Sequence, residues 1–303
     1  MEIALQFVLL ALGFVMLGKG ADWFVEGAAG IAMRFGIPQL VIGLTIVAMG
    51  TSAPEAAVSI AAAVKGNADI TIGNIVGSNI LNILVILGLA ASIVPIAVAR
   101  STVRIEIPFM IGVTALLFYQ GRDSSISLAD GGVLMVAFAA YMMYLYTMAM
   151  KSNVDSDLEE PGLPLGRCLL GAVGGLALII AGSNVTVGAA TSIATYAGLS
   201  ERFIGLTIVA LGTSLPELFT SVAAARRGNA DIAIGNIVGS NIFNILFVVG
   251  LSSLIIDIPF ASAFNFDTYV ALGAAVLLWL CVLRTQRLQR WAGALMLMCY
   301  AAY

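Results

Sequence analysis

The sequence predicts an all-α polytopic membrane protein of about ten transmembrane helices, in two inverted five-helix repeats with broken helices at the core. Three observations predict it. First, the 303 residues are 60% hydrophobic and 10% charged, with a mean hydropathy of +1.03. A soluble domain carries about 25% charged residues and has no use for so many apolar runs of about 20. Second, a stretch of 47 residues, Gly43 to Leu89, returns as Gly205 to Leu251 at a constant offset of 162, with 34 positions identical. Third, the hydropathy divides into five spans per copy. An odd number makes the second copy enter the membrane from the opposite side, which inverts it relative to the first.

The spans follow in order. The first covers about 3–33, the second about 38–64, the third about 70–98, the fourth about 103–120 and the fifth about 126–149. A polar linker, KSNVDSDLEEPGLPLG, runs from Lys151 to Gly166. The sixth to ninth spans cover about 167–197, 202–225, 231–256 and 267–284, and a short tenth runs from Trp291 to Tyr303. The organisation is therefore a first repeat over 1–150 with its motif at 43–89, a cytoplasmic linker over 151–166, and a second repeat over 167–303 with its motif at 205–251.

Charge orients the chain. Ten spans put Arg34, Arg100, Arg104, Lys151, Arg167, Arg226, Arg227, Arg284, Arg287 and Arg290 on the side away from both termini. Only Lys65, Arg122 and Arg202 share the termini's side. By the positive-inside rule the linker is cytoplasmic and both termini lie outside. The amino end lacks the basic segment of a signal peptide and reads as a retained first span. Asp155, Asp157, Glu159 and Glu160 read as a solvated part of the linker. Lys19, Asp22 and Glu26 in the first span are expected to form an intrahelical ion pair with a snorkelling end. Asp69 and Asp231 are expected to cap the third and eighth spans, and Glu106 and Asp130, near span ends, receive no role.

The duplicated stretch carries the chemistry. Its first block is GTSAPE, repeated as GTSLPE. Pro54 and Pro216 have no N–H for the carbonyls of Gly50 and Gly212, one turn earlier, and those glycines permit local unwinding. Freed carbonyls at bilayer depth must meet protein, water or an ion. Thr51, Ser52 and Glu55, with Thr213, Ser214 and Glu217, add hydroxyls and one carboxylate to each break. The second block is GNIVGSNILN, repeated as GNIVGSNIFN. Asn74, Ser78 and Asn82, spaced by four, share a helix face, as do Asn236, Ser240 and Asn244. Gly73, Gly77, Gly235 and Gly239 keep that region narrow enough for close helix approach. Asn74 and Asn236 read first as struts that hold the break by interhelical hydrogen bonds.

Only oxygen is on offer. There is no histidine, and Cys168, Cys281 and Cys299 sit in or beside apolar segments without CxxC spacing. They read as small core residues, with no disulfide and no transition-metal site. Oxygen from carboxylates, amides and carbonyls suits a hard cation such as Ca²⁺, and Mg²⁺ less, because it dehydrates reluctantly. Two ionised glutamates carry −2, which one Ca²⁺ or two Na⁺ balance. The alternative is a pair of structural acids kept neutral by protons. For the hydroxyls the alternative is back-bonding within the helix, and for the asparagines it is packing.

These blocks resemble the alpha repeats of the calcium/cation antiporter superfamily, and are most similar to those of prokaryotic sodium/calcium exchangers. The resemblance implies Na⁺/Ca²⁺ exchange by alternating access, with spans one and six sliding across a fixed core. It implies ligands at Thr51, Ser52, Glu55, Ser78 and Asn82, at Thr213, Ser214, Glu217 and Ser240, and main-chain oxygens at Ala48 and Ala210. Asn244 stands where some prokaryotic relatives carry aspartate. With asparagine at both 82 and 244 the site stays at −2, and a role for K⁺ is disfavoured.

A secondary antiporter, electrogenic if three Na⁺ move per Ca²⁺ and extruding Ca²⁺ across the inner or plasma membrane, is therefore expected. Ca²⁺/H⁺ exchange is the alternative within transporters, and a cation channel a further one. No enzyme activity and no cofactor are expected; Ca²⁺ and Na⁺ are cargo. The lipid bilayer is the expected partner. Nucleic acid is not, because the chain has no basic patch. A functional monomer is expected.

Overall fold

The computed structural model describes residues 2–152, 163–199 and 210–303. Helix α1, Glu2–Arg34, is followed by the bent pair α2, Gln39–Thr51, and α3, Ala53–Val64. Then come α4, residues 69–93, α5, Thr102–Asp123, and α6, Leu128–Ser152. The second half holds α7, Leu165–Tyr196, the short α8, Ala210–Thr213, α9, Leu215–Arg226, and α10, Ala230–Ile255. Helices α11, Ala263–Leu283, and α12, Arg290–Ala302, complete it. Seven of these helices are long and apolar enough to cross a membrane, or eight if α2 and α3 count as one bent span. The linker interior, with its acidic cluster, and the start of the seventh span with Arg202 lie outside the described residues. Both ends of the linker are helical: Lys151 and Ser152 finish α6, and Leu165 and Gly166 open α7.

The core is built on α4 and α10, whose apolar windows are 78% and 94% buried, against 17% for α1. The outer pair, α1 and α7, runs antiparallel along a seam of glycines. A methyl group at Gly13 would meet the Gly182 carbonyl at 3.0 Å; at Gly20, the Gly175 carbonyl at 2.9 Å; at Gly27, the Ala172 nitrogen at 2.4 Å. Partner numbers fall as α1 numbers rise, and Gly13 and Gly20 stand at the registers of Gly175 and Gly182. Each half thus presents the same surface to the other.

That exchange recurs. A two-stranded antiparallel ladder joins β1, Ile96–Ala97, to β4, Arg287–Leu288; its counterpart joins β2, Ser125–Ile126, to β3, Ile258–Pro259. Helix α12 lies on α4 where Gly293 meets Gly88, and α6 lies on α10 where Gly131 meets Gly250. Every one of these pairs maps onto its mate by the offset of 162.

The structure corrects three expectations. Asp22 and Glu26 do not pair with Lys19: Arg227, just past α9, reaches Asp22 at 3.1 Å and Glu26 at 3.2 Å. A guanidinium presents several donors in a fork, so one arginine ties both carboxylates of successive turns. Asp69 and Asp231 are not capping residues. Their helices begin after Ala68 and Asn229 with no side-chain cap, and the acids stand inside the first turn, where the helix dipole favours them. The Asp69 side chain lies outside the described residues. Glu106 does lie near a span end, four residues into α5, but it is not without a role, being fully buried and accepting a hydrogen bond from the Tyr144 hydroxyl. Asp130, by contrast, closes a capping box with Ser127 at the start of α6: Ser127 N–H donates to its Oδ2 at 2.9 Å, and its own N–H donates to Ser127 Oγ at 3.3 Å.

Candidate functional site

The site lies where the two breaks face each other. The bend between α2 and α3 is 51°. It falls at Ser52 (φ −81°, ψ 6°), with Pro54 in the first turn of α3, and Ser214 (φ −91°, ψ 3°) with Pro216 repeats it before α9. Unwinding therefore occurs at the serines, and Gly50 and Gly212 stay helical, which corrects the sequence expectation. The glycines serve packing instead. A methyl group at Gly212 would lie 2.1 Å from Val187 Cγ2, and one at Gly50 3.1 Å from Leu176 Cδ2. The Gly212 carbonyl, released by Pro216, is met by Ser183 Oγ of α7 at 2.7 Å. At the matching register of α1 stands Ala21, which has no hydroxyl to give.

Each break hands its serine to the other half's acid. Ser52 Oγ donates to Glu217 Oε1 at 2.7 Å, and Ser214 Oγ donates to Glu55 Oε1 at 3.2 Å. Each serine is one turn from its own glutamate, so the reciprocal bonds bring both carboxylates to the middle. Both glutamates are 1% exposed. No lysine or arginine pairs with them among the described residues.

The asparagines complete the frame. Asn74 Nδ2 donates to Ser59 Oγ at 2.9 Å and to the Glu55 carbonyl at 3.3 Å; Asn236 Nδ2 does the same with Ser221 Oγ at 2.9 Å and the Glu217 carbonyl at 3.4 Å. These two are struts. Thr51 Oγ1 donates to Asn236 Oδ1 at 3.0 Å and to the Ala48 carbonyl at 3.3 Å, where Ser240 Oγ also donates at 3.3 Å. Deeper, α4 and α10 cross at a ring of four amides. Asn82 Nδ2 donates to Asn241 Oδ1 and Asn244 Nδ2 to Asn79 Oδ1, both at 3.0 Å. Asn79 and Asn241 donate to each other's main chain at 3.1 and 3.2 Å.

Sequence reasoning missed Asn79, Asn241 and Ser183. The two asparagines carried a signal, since both copies hold them inside GSNI; Ser183 carried none. Segments Asn82–Leu87 and Asn244–Val249, which start at the outer asparagines, are wound as π-helix, as is Gly43–Val47 in α2. Such insertions cluster at functional sites, and sequence did not announce them. Gly235 and Gly239 do admit α2 closely, a methyl group there falling 3.1 Å from Gly43 and 2.8 Å from Leu44. For Gly73 and Gly77 the matching neighbours fall on 202–210, largely outside the described residues. Ser78 is buried, and Ala210, its expected carbonyl partner by register, opens α8 at the edge of the described residues. Thr213 stands beside the Glu55 carboxylate.

What remains open decides the chemistry. Glu55 Oε2, Glu217 Oε2, Asn82 Oδ1 and Asn244 Oδ1 are buried and meet no donor. All four are acceptors, two from each half at matching positions. The amide N–H groups that could have satisfied them are spent across the helix crossing. Unpaired acceptors at this depth cost several kcal/mol each. Buried acceptors of this kind suit a bare cation, which brings no hydrogen and takes carboxylate and amide oxygens as ligands.

The chain is similar to known proteins along nearly its whole length. A family model described as sodium/calcium exchanger protein matches residues 5–147 and 168–303. The sodium/calcium exchanger MaX1 of Methanosarcina acetivorans is 33% identical, over 99% of this chain and 98% of its own. The inner membrane protein YrbG of Escherichia coli is 40% identical, over 82% of this chain and 79% of its own. Among solved structures, the sodium-calcium exchanger NCX_Mj soaked with Na⁺ and Sr²⁺ superposes with a TM-score of 0.87 at 34% identity, over 99% of this chain and 98% of that one.

Proposed function

The chain belongs to the sodium/calcium exchanger protein family, and from that membership we propose that it is a secondary antiporter, not an enzyme, moving Na⁺ against Ca²⁺ by alternating access. The observation that carries the proposal is the set of four donorless oxygens at Glu55, Glu217, Asn82 and Asn244. Two carboxylates supply −2, one Ca²⁺ cancels it, and the neutral oxygens of Thr51, Ser52, Ser78, Thr213, Ser214 and Ser240 and the carbonyls of Ala48 and Ala210 would fill out the six to eight ligands that Ca²⁺ takes. Three Na⁺ in the same space carry one charge more than one Ca²⁺, so exchange at that ratio is electrogenic.

We read the chain as ten spans in two inverted five-helix repeats. Supporting this, α1 and α7 are equivalent by register yet run antiparallel, so the axis relating the halves lies across the helices. The short α12 packs on α4 as α6 packs on α10, which supports counting it as the tenth span. The motion we propose is a slide of α1 and α7 over the buried core. The shallow burial of α1 and its glycine seam with α7 support it. An inner-membrane location with both termini outside the cytoplasm and a functional monomer complete the reading. The arginine-rich side of the chain supports that orientation.

The test is Na⁺-gradient-driven ⁴⁵Ca²⁺ flux in proteoliposomes, with voltage imposed by a potassium ionophore. E55Q and E217Q should each abolish the flux, and wild-type flux should respond to voltage. Flux near wild type in both variants would end the assignment of these ligands. A flux driven by a pH gradient, and not by Na⁺, would replace Na⁺ with H⁺ as the counter-ion.

A further inference from the structure

A third buried acid lies outside the mirrored site. Glu106 on α5 is fully buried, accepts the Tyr144 hydroxyl of α6 on Oε1, and has no donor for Oε2. Beside it the Tyr141 hydroxyl is also buried without a partner. The two groups border a cavity of about 150 Å³ lined by Ile105, Glu106, Phe109, Ala140, Tyr141 and Tyr144. Phe109 and Tyr141 stack with ring centroids 5.3 Å apart. The acid owes nothing to the repeat: Thr268 stands at its register in the second half and spends its hydroxyl on the Phe264 carbonyl at 2.7 Å.

The occupant follows by elimination. A proton needs no cavity. A hard metal ion wants six to eight oxygens, and this cavity has one carboxylate and two phenols among apolar walls. Three aromatic rings with one carboxylate suit a cation that also donates N–H bonds, because ring faces attract an ammonium and the open Oε2 takes its proton donor. Ile105 and Ala140 at the cavity's edge are exposed, and in a bilayer that exposure faces lipid. Glu106 lies four residues after Thr102, within about 6 Å of the start of α5 even at the α-helical rise, and so at the end of the span that borders the headgroup layer. Trp279, whose indole N–H donates to the Val103 carbonyl at 2.9 Å, marks the same level.

We propose that the Glu106–Tyr141–Tyr144 cavity binds the primary ammonium of a phosphatidylethanolamine headgroup. The test is native mass spectrometry of the full chain, released from nanodiscs of equal phosphatidylethanolamine, phosphatidylcholine and phosphatidylglycerol. Wild type should retain the ethanolamine lipid about fivefold over the other two, the scale of one net hydrogen bond, which the quaternary ammonium of the choline lipid cannot donate and the anionic glycerol lipid has no ammonium to make. E106Q removes the charge and keeps the shape; A140L fills the cavity and leaves the acid. Both should fall to parity. A preference that survives in both variants overturns the site, as does parity in the wild type. Soluble ethanolamine should displace the lipid; an amine that binds with no lipid preference assigns the cavity to soluble amines and overturns the lipid source.

Discussion

Single residues in this protein are defined by what they leave unpaired. Asn82 and Asn244 turn their N–H groups to Asn241 and Asn79, and so present oxygen to the centre. In the proposed site the inner asparagines are thus positioning residues that orient the outer pair. N241A removes the acceptor that orients Asn82. Its expected effect is a rise of about tenfold in half-saturating Ca²⁺, the worth of one lost hydrogen bond near 1.4 kcal/mol, with maximal flux within about twofold. N79A should do the same through Asn244. Ca²⁺ saturation curves for both variants check this, and wild-type curves in both contradict the orienting role. Glutamate 55 and 217 were legible in the sequence because an acid among apolar residues is costly wherever it falls. Asn79 was passed over because i, i+4 spacing from Asn82 picks out Ser78 and Asn74, and the pairing that matters runs to the other half.

At the scale of the element, the broken helices illustrate how proline and glycine divide a task. Proline frees a carbonyl, serine takes the non-helical conformation, and glycine lets a neighbouring helix come close. The halves differ here. Gly212 is pressed against Val187 and its carbonyl is bonded by Ser183, whereas Gly50 meets the flexible end of Leu176 and, at 3.5 Å, the Phe24 ring, and Ala21 stands at the register of Ser183. G212A should therefore destabilise far more than G50A. S183A should cost about 1–3 kcal/mol, the penalty of one unsatisfied buried carbonyl, and lower the melting temperature in detergent by several degrees. Scanning fluorimetry of the three variants decides it; equal melting temperatures for G50A and G212A would contradict the asymmetric seam. The bend at Pro54 was readable from GTSAPE. Its placement at Ser52, and the π-helical turns at Asn82 and Asn244, depend on packing between helices and carried no local sequence signal.

For the whole molecule, the offset of 162 is the governing regularity. It relates the acids, the serines that cross between them, the amide ring, the two small ladders and the glycine seams. One tie breaks it. Arg227 bridges Asp22 and Glu26, whereas the matching positions hold Lys65, Asn184 and Gly188 and include no acid. Among the described residues α1 is thus fastened to the core by charge on one face only, the face that carries most of the arginines. That face belongs to the cytoplasm in the proposed topology. Replacing the three native cysteines and introducing Y303C should give a protein labelled by a membrane-impermeant maleimide from outside intact cells. Labelling of Y303C only after permeabilisation would reverse the orientation.

The sequence by itself determined the membrane setting, the duplication, the two breaks and the oxygen-only chemistry, because composition, periodicity and the cost of burying an acid are local properties that no packing can undo. Tertiary structure alone decided which atoms meet: serine to the opposite glutamate, asparagine to the opposite asparagine, arginine to the first helix, tyrosine to Glu106. Those choices depend on distances between segments far apart in the chain, and a hydrogen bond exists only where geometry brings donor and acceptor within about 3 Å.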